Sequence, residues 1–108
     1  MSTEYVVIFC TVPGREVADT LADTLVGRGL AACVNIIPGL LSVYTWKGDI
    51  CRDEEMLCVI KSRASLFRSI EEAIREVHPY ETPEIISLPI LEGHAPYLRW
   101  IEEVTKTG

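Results

Sequence analysis

The chain has 108 residues, 48% hydrophobic and 24% charged, with a formal net charge of −6. That length suits one domain, expected over residues 1–108, with room for a genuine core, and the composition excludes a disordered chain. An acidic balance without a run of Lys or Arg argues against nucleic-acid binding as a main task, and no apolar run reaches the length of a membrane span.

Residues 1–4 carry no basic leader segment, so a soluble cytoplasmic protein is expected. The four cysteines, Cys10, Cys33, Cys51 and Cys58, form no CxxC pair and no zinc-type spacing. In a reducing compartment they are expected as free thiols.

Tyr5 to Cys10 is a continuous apolar run, the mark of a strand covered on both faces. Pro13-Gly14 ends it. Val17, Ala18, Leu21, Ala22 and Leu25 then recur at helical spacing, with Gly29 as the expected left-handed cap. A second strand begins at Leu30, bends at Pro38-Gly39 and runs on to Trp46. Leu40, Ser42, Tyr44 and Trp46 share one of its faces and Leu41, Val43 and Thr45 the other. Lys47-Gly48-Asp49 reads as a hairpin turn, and the return strand spans about Ile50 to Lys61.

Each arm of this hairpin is about twice the usual ~5–6 residues. Its far end, with Tyr44 and Trp46, lies beyond what one short helix covers, and soluble proteins avoid exposed apolar ribbons. Either a partner subunit covers it or the hairpin folds back on its own domain.

Ser65 is a candidate cap for a helix buried through Ile70, Ala73, Ile74 and Val77. Glu84 to Leu91 is a fourth strand, and Pro96 suits the first turn of a last helix with Tyr97, Trp100, Ile101 and Val104 on its apolar face. The order β-α-β-β-α-β-α predicts an α+β, ferredoxin-like sandwich with an antiparallel sheet in order 4-1-3-2 and helices on one face.

Between the second helix and the fourth strand stands His78-Pro79-Tyr80-Glu81-Thr82-Pro83-Glu84. Each proline drives its predecessor toward extended geometry, so this corner stops the helix at His78. It is either a rigid connector whose polar groups satisfy the helix end or a functional site. In sheet order 4-1-3-2 the corner falls beside the exit of the first strand, which brings His78 near Cys10-Thr11. Sulfur with imidazole suits copper or zinc, and Glu81 or Glu84 would complete such a set. The plainer alternative is a buried strand thiol and a cation at a helix C-terminus.

Four stretches, Cys10-Thr11-Val12-Pro13, Leu30 to Pro38, Ser42 to Gly48 and His78 to Glu84, together with Tyr97-Leu98-Arg99-Trp100, resemble the CutA divalent-cation tolerance proteins from about residue 5 to 104. The resemblance implies a homotrimer built by its long hairpins, a role in tolerance of copper or another divalent cation, and no organic cofactor. It implies Cys10 and His78 as ligands, with Val77 where the first of a His-His pair would stand. It also implies a likeness of fold to the PII signalling trimers.

Three classes of function compete. The first is a metal-binding or metal-responsive trimer using Cys10, His78, Glu81 and Glu84, with no nucleic acid or membrane as partner. The second is a small-molecule sensor or scaffold with clefts lined by Tyr44, Trp46, Tyr80, Tyr97 and Trp100 and fixed by Lys61 and Glu81. The third, an enzyme, is disfavoured: Cys10–His78 has no third orienting residue, and there is no nucleophile elbow or phosphate-cradling loop.

Overall fold

The computed structural model describes residues 4–105; the expected domain runs three residues beyond them at each end, and the expectation about the start of the chain rests on residues 1–4, of which 1–3 lie outside that range. Elements occur in the order β1 (Tyr5–Val12), α1 (Arg15–Gly27), β2 (Cys33–Trp46), β3 (Asp49–Arg63), a short 3₁₀ turn (Ala64–Leu66), α2 (Phe67–Val77), β4 (Ile86–Pro89) and α3 (Ala95–Val104). The four strands form one sheet in order β2-β3-β1-β4, antiparallel at each pairing. This is the ferredoxin-like plan that the element order predicted.

Alternation along β1 sorts the core. Val6, Ile8, Cys10 and Val12 are buried, and their partners Ser62, Ile60, Cys58 and Met56 turn to the same face. Ala18, Leu21 and Leu25 of α1 and Ile70, Ala73 and Ile74 of α2 complete this cluster. Backbone bonding alternates too. Ala64 N–H donates to the Glu4 carbonyl and Ile90 N–H to the Tyr5 carbonyl, so β1 addresses β3 and β4 with successive residues. Pro89, paired with Val6, therefore stands where no ladder N–H is needed.

Several expected boundaries move, each for a local reason. The second strand starts at Cys33 rather than Leu30, because Leu30 and Ala31 donate their N–H groups back to the Leu25 carbonyl and close the end of α1. Gly29 adopts the left-handed conformation expected of a cap (φ 71°). Ser65 caps no helix: it sits inside the 3₁₀ turn, and α2 begins at Phe67 without a side-chain cap. Between the flanking prolines the chain reaches strand pairing only at Ile86, two residues later than expected, and leaves it at Pro89.

The helices do not all share one face. Arg63 Nε donates to Thr105 Oγ1 (3.0 Å), Arg63 Nη2 to the Thr105 carbonyl (3.2 Å), and Tyr5 Oη to Glu102 (3.1 Å). Tyr5 and Arg63 oppose each other on the face away from α1 and α2. The α3 helix thus covers one end of that second face, and of its expected apolar stripe only Ile101 is fully buried.

The hairpin arms are 14 and 15 residues long. Lys47 and Gly48, both at positive φ (50° and 86°), make the two-residue turn between Trp46 and Asp49. Pro38 and Gly39 together face Met56 alone, a bulge made possible by Gly39 at φ 82°. The extra residue keeps Leu40, Ser42, Tyr44 and Trp46 on the face of Ile37. Beyond the bulge the ribbon outruns its helices: Leu41 and Val43 remain 53% exposed and Ile50 77%.

Candidate functional site

The corner lies against the exit of β1, as sheet order 4-1-3-2 requires. The α2 helix ends at Val77, and His78, extended as Pro79 demands (φ −83°, ψ 130°), donates its backbone N–H to the Ile74 carbonyl. Its ring is buried and bonded at both nitrogens. Nε2 lies 2.7 Å from the Thr11 carbonyl oxygen, and the Tyr80 backbone N–H approaches Nδ1 at 3.2 Å. A carbonyl can only accept and a backbone N–H can only donate, so the ring is neutral with its hydrogen on Nε2. Its one lone pair is already engaged.

Cys10 reaches the same carbonyl. Its fully buried thiol donates to Thr11 O at 3.8 Å, so sulfur and imidazole converge on one backbone oxygen rather than on each other. Burial first, then the Cys58 thiol and the carboxylates of Glu84 and Glu55, pushes the Cys10 thiol up to about 12. Cys58, directly across the sheet, is pushed up to about 11 by burial. Both are protonated strand thiols near neutral pH.

Beside the corner and under the hairpin opens a cleft of about 640 Å³. Tyr44, Trp46, Tyr80, Glu81 and Glu84 line it, joined by Glu55 and Thr11. Tyr80 Oη donates to Glu55 Oε2 (2.7 Å), and Tyr44 Oη donates to Asp53. Burial, then the bond to Glu55, holds the Tyr80 hydroxyl well above the ordinary phenol range. The bond to Asp53 pushes Tyr44 up to about 12.

The expected aromatic set divides in two. Lys61 stands away from this cleft, bonded to Asn35, and Tyr97 stacks on Trp100 (centroids 5.5 Å apart), also outside it. Glu55 was missed. Counting back from the Lys47-Gly48 turn would have placed it opposite Leu40, on the face of Tyr44.

The donor set does not fit a closed metal site within one subunit. Cys10 is enclosed and protonated, the His78 lone pair is engaged, and Glu81 and Glu84 are exposed. Among the described residues no three or more His, Cys, Asp or Glu side chains are grouped to hold an ion. Donors from another subunit would have to complete any site at the corner.

Fold and site together define a small ferredoxin-like domain with an overlong bulged hairpin and a proline-flanked corner beside the exit of its first strand. The sequence matches the family described as CutA1 divalent ion tolerance protein over residues 6–104, and the chain belongs to that family. It is 48% identical over 99 residues to the divalent-cation tolerance protein CutA of Thermus thermophilus, covering 92% of this chain and 96% of that one. It is 46% identical over 99 residues to protein CutA of Mus musculus, covering 92% of this chain but only 56% of the longer mouse protein. The crystal structure of CutA1 from Oryza sativa superposes with a TM-score of 0.94 at 40% identity, covering 99% of this chain and 98% of that one.

The phenol of Tyr44 gives a direct check of the cleft's hydrogen bonding. The folded chain holds this proton more tightly than the unfolded chain, whose tyrosines titrate near 10. Its stabilising effect is therefore complete below pH 10 and lost as pH rises through about 12. Ultraviolet titration should show Tyr44 still un-ionised at pH 11, and Asp53→Asn should bring it down toward the ordinary value. An unchanged titration in that variant would contradict the Tyr44–Asp53 bond.

Proposed function

We propose that the protein acts in divalent-cation tolerance as a homotrimer in the cytoplasm, binding copper or a similar divalent cation rather than catalysing a reaction. The observation that carries the assembly is the uncovered ribbon: Ile37, Leu41, Val43 and Ile50 are each 47% exposed or more. Fully burying an aliphatic or aromatic side chain is worth about 1.5–3 kcal/mol, so covering these offers a second copy a large driving force. The family resemblance supplies the number three. Four free cysteines suit a reducing compartment, and no helix among the described residues is long and apolar enough to cross a membrane.

The cation's place in this reading is the corner. Glu81 and Glu84 offer exposed oxygen ligands, and a neighbouring subunit adds the remainder. Cys10 and His78 stand behind them and would join only by giving up their present hydrogen bonds. A second reading, a small-molecule site, is favoured by one specific observation: the cleft of about 640 Å³ walled by three aromatic rings.

Sedimentation should give three times the 12.1 kDa chain mass. Val43→Glu with Ile50→Glu, which charges one uncovered face of the ribbon, should yield monomers, and a trimer that survives this pair would refute the ribbon as its interface. Calorimetric titration with Cu(II) and Zn(II) should show one site per subunit, weakened at least about tenfold by Glu81→Gln with Glu84→Gln and kept in Cys10→Ser. Binding that ignores the glutamates, or tracks Cys51 instead, would overturn the corner as the cation site.

A further inference from the structure

The small-molecule reading extends to a ligand class, and that class rests on the reading. The lining of the cleft includes no Lys, Arg or His, while Glu55, Glu81 and Glu84 all contribute to it. An anion entering it would meet three carboxylates, while the Lys47 ammonium, 5.6 Å from the Trp46 ring centroid, is not part of the lining.

Glu55 is the unusual member. It is only 7% exposed, yet neither ion pair among the described residues, Arg28–Glu76 and Arg68–Glu71, involves it. Its Oε2 accepts the Tyr80 hydroxyl. Among the described residues no buried side-chain oxygen lacks a hydrogen-bond partner, so Oε1, which has none from the protein, keeps some contact with solvent, and Glu55 lines the cleft. A carboxylate this far from bulk water, without a cation beside it, gains more from an incoming positive charge than a surface carboxylate does.

The walls favour one kind of cation. A bare metal ion needs oxygens that converge within a few ångströms, and the carboxylates here do not group in that way. Aromatic rings share the walls with them, and the space is that of a small-molecule pocket. Trp46 already holds the Lys47 ammonium 5.6 Å from its ring centroid. Aromatic rings such as those of Tyr44, Trp46 and Tyr80 attract a cation through their quadrupoles and shelter a hydrocarbon skeleton at once.

We propose that this cleft is a receptor for a small organic ammonium ion, its charge met by Glu55 and its carbon skeleton laid against Tyr44, Trp46 and Tyr80. The Tyr80–Glu55 bond fixes the carboxylate, so Tyr80 positions as well as contacts the ligand.

The test uses three probes with one carbon skeleton and three charges, n-butylammonium, n-butanol and n-butyrate, titrated into the intact assembled protein. Chemical shifts of the Trp46 indole N–H and of the Tyr44 and Tyr80 rings report occupancy. Butylammonium should bind, butanol at least about tenfold more weakly, and butyrate not at all; Glu55→Gln should raise the butylammonium Kd about tenfold or more. That variant keeps the side-chain shape and an acceptor for Tyr80, so folding is preserved, and the Tyr97 and Trp100 resonances verify it. If butanol binds as well as butylammonium, or Glu55→Gln changes nothing, the cleft reading stands and the inference of a cationic ligand falls. If none of the three binds, both fall, and the cleft is filled by a neighbouring subunit.

Discussion

The two hydrogen bonds of one imidazole fix the corner between α2 and β4. His78 joins the C-terminus of α2 to the exit of β1 through the Thr11 carbonyl, and it turns the corner by accepting the Tyr80 N–H. Both partners are backbone groups, so each is satisfied by the ring in one tautomer only. Set in this way, the Tyr80 ring lies close against His78 (centroids 4.6 Å) and its hydroxyl reaches Glu55 in β3. One side chain thus ties α2, β1, the corner and the hairpin into a single arrangement, and the cleft is the space left between them.

The hairpin supplies the other half. The bulge at Pro38-Gly39 keeps Tyr44 and Trp46 on the face of the corner while the ribbon extends past α1 and α2. A shorter hairpin would leave a self-sufficient domain with no cleft wall and no large apolar surface to share. The same extension that forms the aromatic wall leaves apolar surface uncovered, so the proposed assembly and the proposed ligand site both rest on one length.

Much of this was legible in the sequence, and the limits have physical causes. Strand order derives from element order, and strand order alone placed His78 beside Cys10-Thr11. The face of each hairpin residue could be counted from a turn that needs positive φ at Lys47 and Gly48. Helix and strand ends were harder to read. Whether Leu30 continues a strand or closes a helix is decided by the free Leu25 carbonyl, and whether Ser65 caps a helix by a 3₁₀ turn that propensity does not reveal. The tie at His78 was hidden for the same reason: its partners are backbone groups, which leave no mark in residue identity. Glu55 looked like one more surface charge in an acidic strand: counting from the turn puts it on the face of Tyr44, but its burial comes only from three-dimensional packing.

The central claim is that His78 holds the corner as a neutral ring with its lone pair engaged. Nitrogen-15 NMR of the histidine ring tests it most directly, recorded on the assembled protein near neutral pH and again after adding Zn(II). The structure predicts a protonated Nε2, a bare Nδ1 coupled to the Tyr80 N–H, and no movement of either resonance at saturating zinc. A proton on Nδ1, or an Nδ1 resonance that moves with zinc in step with the calorimetric site, would contradict it and make His78 a metal ligand.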